Sequence, residues 1–179
     1  MIIIPGNHDN KADYYKAVSE VQKNNANLID MGATRVYDLG AISIISLPGY
    51  NDKNFEPEKG FLFNDDEIKN IGKLRNTLED KVILLSHLPP KGENPNSIDA
   101  VFDGKNVGDK LLDKIMKENN IDFSVTGHIH ESGSRAVNEG DEPIPEGQFS
   151  ETLRFNPGSA TQWKYINQTA YQGLAGILT

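Results

Sequence analysis

Three short apolar runs constrain this chain more than any other feature, because each one stops at a histidine motif. Met1-Ile2-Ile3-Ile4 leads into Gly6-Asn7-His8-Asp9, and Val82-Ile83-Leu84-Leu85 into Ser86-His87-Leu88-Pro89-Pro90. Ile121-Asp122-Phe123-Ser124-Val125 leads into Gly127-His128-Ile129-His130. These motifs hold all four histidines of the sequence. Short, β-rich apolar runs read as strands, and near-continuous ones as strands covered on both faces. Histidines gathered at the C-terminal ends of such strands point to one metal site rather than to scattered core residues.

Helical periodicity fills the spaces between. Ala12, Tyr15, Val18 and Val21 recur at helical spacing in Lys11 to Asn24. Ile68, Ile71, Leu74 and Leu78 line one face of a helix over Asp65 to Leu78, whose first turn is acidic. A third helix is expected from about Val107 to Asn119. Further strands are expected at Thr34 to Leu39, Ala41 to Leu47, Lys81 to Ser86, Ile121 to Thr126, Thr152 to Phe155 and Gly173 to Leu178. Two stretches interrupt the pattern. Leu88 to Asn106 is a Pro/Gly/Asn-rich loop of the functional or mobile kind, and Glu131 to Ser150 reads as a polar, exposed excursion. With no repeat and no dividing linker, residues 1–179 are expected to form a single domain of α/β class with at least partly parallel sheet.

Composition narrows the function classes. No cysteine is present, which removes disulfides, zinc–thiolate sites and thiol nucleophiles and fits a cytoplasmic location. No run approaches the roughly 20 apolar residues of a membrane span, and Met1 to Ile4 lacks the basic flank of a signal peptide. A net charge of −8 with no Lys/Arg cluster counts against nucleic acid as a partner. A small phosphate-bearing substrate is compatible with that charge, because a metal supplies local positive potential.

Each motif has a chemical and a plain reading. In Gly127-His128-Ile129-His130, imidazoles at i and i+2 reach one metal cluster from different directions; the alternative is a pair of solvated loop histidines. Gly6-Asn7-His8-Asp9 offers an amide oxygen as ligand, an imidazole as proton donor and a carboxylate to hold its tautomer. Its alternative is simple turn punctuation. Ser86-His87 reads by itself as a hydrogen-bonded strand end and gains meaning from the other motifs. Asn156-Pro157-Gly158-Ser159 reads as a tight turn whose N–H groups could face the site.

Together these residues resemble the calcineurin-like metallophosphoesterases, whose Gly-Asn-His-Asp/Glu, lone histidine and Gly-His-x-His motifs occur here in order. The Ser86 to Pro90 loop, Gly127-His128-Ile129-His130-Glu131 and the Asn-Pro-Gly turn are most similar to the small phosphoesterase branch of that family. The resemblance implies a four-layer α/β/β/α sandwich with mixed sheets. It implies two divalent ions (Mn, Fe, Zn, Co or Ni) roughly 3.5–4 Å apart that generate a hydroxide and hydrolyse a phosphomonoester or phosphodiester. By motif position, Asn7, His87 and His128 would bind one metal and His130 the other, while His8 would be the acid and Asp9 would orient it.

The family's Asp-x-His and Gly-Asp motifs belong upstream of Gly-Asn-His-Asp/Glu, where this sequence has only Met1 to Pro5. The domain is therefore expected to be N-terminally truncated, with Met1 to Ile4 left without neighbouring strands. A full dinuclear centre is not expected from this chain alone. The alternative function is a non-catalytic half-domain or pseudoenzyme, which acts through self-association or a partner chain carrying the missing motifs.

Overall fold

A computed structural model describes residues 1–52, 54, 59–159, 163–164 and 170–171. The chain divides into two compact units, Met1–Leu88 and Pro89–Thr179.

The first unit runs β1 (Ile2–Ile3), α1 (Lys11–Gln22), β2 (Ile29–Asp30), β3 (Val36–Asp38), β4 (Ile42–Leu47), α2 (Asp65–Arg75) and β5 (Lys81–Ser86). Its spine is the parallel pair β4–β5, registered from Ile42 opposite Lys81 to Leu47 opposite Ser86. Helix α2 makes the crossover that parallel strands require, and it packs on β4. Its start is fixed by a capping box. Asn64 accepts from the Asp66 and Glu67 N–H groups, and Glu67 accepts from Asn64 N–H. Ile68 and Ile71 then face inward and are fully buried, as are Ile45, Leu47 and Leu84 of the sheet. Five consecutive residues of β4, Ser43 to Leu47, are buried, the mark of a strand covered on both faces. β3 adds to it antiparallel, with Val36 opposite Ile45.

The second unit runs α3 (Lys110–Glu118), β6 (Phe123–Thr126), a single 3-10 turn (His130–Ser132), β7 (Arg135–Val137), β8 (Leu153–Asn156), β9 (Trp163–Lys164) and β10 (Ala170–Tyr171). β8 lies parallel to β6 on one side and antiparallel to β7 on the other, while β9 and β10 pair separately. Helix α3 is capped by Asp109, which accepts from Leu112 N–H, and it buries Leu112 and Met116. An ion pair ties it to the sheet. Arg154 Nη2 of β8, buried, donates to Asp113 Oδ1 at 2.7 Å.

Mixed α/β architecture with mixed sheets is thus what the chain adopts, and the sequence expectations differ from it in detail. Each helix stops one to three residues early, at caps Lys23, Asn76 and Asn119. Met1 to Ile4 does have a neighbour: β1 pairs in parallel with β2, Ile2 opposite Ile29 and Ile3 opposite Asp30. The two-residue β2 carries too little pattern to be read in advance. Glu131 to Ser150 is not simply an exposed excursion, since it contains the 3-10 turn, β7 and the buried residues Ser132, Val137 and Asp141. Nor is Leu88 to Asn106 loose. Buried Asp99 accepts from Asn106 Nδ2 and Gly108 N–H at 2.7 Å each, drawing the loop in on itself. The strand expected at Gly173 to Leu178 lies outside the described residues. Among the described residues, no helix is long and apolar enough to cross a membrane.

Candidate metal centre

In the first unit, β1 runs out at Pro5 and the chain must turn before α1 begins. Gly6 N–H donates to Asp9 Oδ2 at 2.7 Å, and Asn10 Oδ1 then caps the helix through Ala12 and Asp13 N–H. A run of turn formers between a strand end and a helix cap shapes this loop, and Gly49 N–H donating to Pro5 O and Lys11 N–H to Lys59 O tie it to the rest of the unit. The turn separates its side chains by depth. Asn7 is 1% exposed, whereas His8 and Asp9 are exposed.

Asn7 Oδ1 lies 2.9 Å from His87 Nε2, a contact spanning 80 residues of chain. An amide oxygen only accepts, so without a metal this contact requires the Nε2–H tautomer, and an ion bound at Nε2 would replace that proton. His87 is fixed from its backbone as well. Its N–H donates to Leu47 O at 3.3 Å, and Ser86 Oγ donates to Leu88 O at 2.7 Å, holding the bend after β5. Gly6 forms a wall against the imidazole. A Cβ there would sit 2.7 Å from His87 Cε1.

Behind α1, Tyr14 donates its hydroxyl to Asp30 Oδ1 at 2.6 Å, and Gly32 N–H donates to the same oxygen at 2.8 Å. Burial, and then the Asp30 carboxylate, push the Tyr14 hydroxyl pKa well above the ordinary phenol value. Tyr14, Tyr15 and Phe61 meet edge to face, with centroids 5.3 to 5.7 Å apart.

In the second unit, the backbone after β6 turns through a strained residue. His128 has φ +63°, and Ile129 N–H donates to Gly127 O at 2.7 Å, closing a three-residue turn around it. Left-handed backbone is unfavourable for a residue with a Cβ and persists where surroundings over-determine it. Ile129 is buried, while His128 is half-buried and His130 exposed, so an apolar anchor lies between two outward imidazoles. Asn156 Nδ2 donates to Ile129 O at 2.8 Å, and its Oδ1 accepts from Gly158 N–H at 2.9 Å. The Asn-Pro-Gly stretch is indeed a turn, but it is the Asn156 side chain that supports the histidine loop, which the sequence reading did not assign.

A divalent ion can be tested against the donors. Asn7 Oδ1 and His87 Nε2 stand at about the separation of two adjacent ligands that are each roughly 2.1 Å from a common ion. Their chemistry, one oxygen and one imidazole nitrogen, suits a borderline cation. Among the described residues, no three His, Cys, Asp or Glu side chains form a group able to hold a metal ion.

The family model of calcineurin-like phosphoesterases matches residues 1–132. A solved crystal structure superposes with a TM-score of 0.65 at 20% sequence identity, covering 88% of this chain and 56% of that one, a likeness that shows the fold. This chain therefore spans little more than half the length of that solved chain. No curated protein matches.

Proposed function

This chain belongs to the calcineurin-like phosphoesterase family, and from that premise we propose that it is a metal-dependent phosphoesterase with Asn7, His87, His128 and His130 as ligands and His8 as proton donor. The family is one of dinuclear metal-dependent enzymes that act on small phosphate esters. In this reading residues 1–179 form one cytoplasmic domain of that family.

The observation that carries the proposal is the Asn7–His87 pair. A buried amide oxygen and an imidazole nitrogen, brought from opposite ends of the first unit, converge at 2.9 Å. Mixed O/N donors of this kind take Mn, Fe, Zn, Co or Ni. When bound, such ions supply Lewis acidity toward the phosphoryl group and lower the pKa of the attacking water. The chain's own side chains do the rest. Asn7 and His87 fix one edge of the site, and the strained turn at His128 fixes how its imidazole leaves the backbone. His8, exposed one residue beyond Asn7, donates its proton to the leaving oxygen. Asp9 braces the loop that carries His8 by accepting from Gly6 N–H.

The test is hydrolysis of p-nitrophenyl phosphate and bis-p-nitrophenyl phosphate with Mn²⁺ titrated in, alongside Mn²⁺ binding by calorimetry. Saturable Mn²⁺-dependent turnover that His128→Ala abolishes supports the proposal. Mn²⁺ binding without turnover replaces it with a non-catalytic module, and loss of both overturns the ligand assignment.

A further inference from the structure

We infer that Asn156 is the positioning residue for both histidines of Gly127-His128-Ile129-His130, an inference that rests on the reading of those histidines as ligands. Asn156 is the last residue of β8 and is 1% exposed. Its amide serves three backbone segments at once. Nδ2 donates to Ile129 O at 2.8 Å and to Ile98 O at 3.3 Å, and Oδ1 accepts from Gly158 N–H at 2.9 Å. A buried side chain whose donors and acceptor are all used is fixed in one orientation.

What it holds is the strained turn. The φ of +63° at His128 needs external support. Ile129 gives that support at both backbone polar groups, its N–H to Gly127 O and its carbonyl to Asn156. The following turn is gripped by the same neighbours. Ser132 Oγ donates to Ala100 O, and Gly133 lies so close to the Asn156 turn that a Cβ there would be 2.9 Å from Gly158 Cα. The base of this bracket is itself rigid, because Arg154, two residues back on β8, is pinned to Asp113 of α3. Asn156 thus sets the exit directions of both imidazoles through the Ile129 carbonyl, which also accepts from Ser132 N–H.

Asn156→Asp separates holding the loop from filling the space. It keeps the side-chain shape and the acceptor for Gly158 N–H, and it sets a carboxylate oxygen against the Ile129 and Ile98 carbonyls. Val137→Ala, a buried truncation on β7, serves as a control for lost stability. Should Asn156→Asp fail to fold, Asn156→Ser retains an acceptor for Gly158 and removes both amide donors. In the metal-free chain, we expect Ile129 amide exchange to accelerate about tenfold or more beyond that of the control after correction for stability. The His128 and His130 ring Cε1–H shifts should move in the Asn156 variant only. Mn²⁺ affinity should fall by roughly 10–100-fold. Ring shifts unchanged from wild type, with exchange tracking stability as in Val137→Ala, would overturn the inference. If wild type binds no Mn²⁺, the ligand reading fails separately, and the metal-free spectra still decide the role of Asn156.

Discussion

Gly6 lies against the face of the His87 imidazole, so that a Cβ built on it would meet Cε1 at 2.7 Å, Nε2 at 2.9 Å and Nδ1 at 3.0 Å. All three contacts are with one ring. The missing side chain is therefore the space that the imidazole occupies, and Asn7 holds that ring at its Nε2 from the very next residue.

Replacing Gly6 by Ala should displace His87 from Asn7 Oδ1. The expected outcome is a fall in Mn²⁺ affinity of roughly 10–100-fold, as for loss of an orienting contact at a metal ligand. Isothermal calorimetry on Gly6→Ala checks it, and unchanged affinity would show that the ring position is not set by this wall.

His8 is exposed, so His8→Ala should alter stability by no more than about 0.5 kcal/mol. Turnover should fall by about 10²–10⁴-fold on an alkyl phosphate and much less on a nitrophenyl ester, whose leaving oxygen needs little protonation. Parallel steady-state kinetics on the two substrates measure the difference. An equal loss on both would assign His8 a role other than proton donation.

The Tyr14 hydroxyl titrates above its unfolded value of about 10, raised by burial and by Asp30. Above that pH the unfolded chain has released the proton while the folded chain still holds it, so unfolding releases protons and stability falls as pH rises. Below pH 10 the contribution is fully present. Urea unfolding from pH 8 to 11 should show a decline that Tyr14→Phe makes shallower.

Arg154 and Asp113 form a largely buried pair, with side-chain exposures of 4% and 16%. Asp113→Ala leaves the guanidinium buried without its carboxylate and should cost about 3–5 kcal/mol. Arg154→Met should cost less, because Asp113 keeps Lys117 at 3.1 Å and keeps some water. Chemical denaturation of the two variants gives the comparison, and reversed costs would refute the argument.

The sequence revealed those parts of the fold whose signal is local. Strand β5 was legible residue for residue, because an apolar run bounded by Asp80 and His87 needs no partner to be recognised. The start of helix α2 at Asp65 was legible through its acidic first turn and inward isoleucines. β2 and β7 were not. Two residues of β2 become a strand only by pairing with β1, and β7 sits in a polar stretch where Arg135 donates to Pro95 O and Ser97 O. The site divides in the same way. Its histidine motifs and their order could be read directly, whereas the contacts of Asn156 reach back 27 and 58 residues and leave no local trace. The left-handed backbone at His128 was equally hidden, since histidine, though enriched at positive φ, adopts it in only a minority of positions.

The sequence separation of 80 between Asn7 and His87 also makes their meeting a matter of timing. Closing so long a loop is entropically more demanding than forming any turn or helix along it, and nothing repays that closure until β4 and β5 are paired. The donor pair therefore belongs to the last stage of folding of the first unit. A nascent chain that has not yet emitted β5 exposes Asn7 without the His87 imidazole and cannot form this donor pair. Metal uptake by this pair would then be a clock for completed folding, and a rapid-mixing experiment could read it as such.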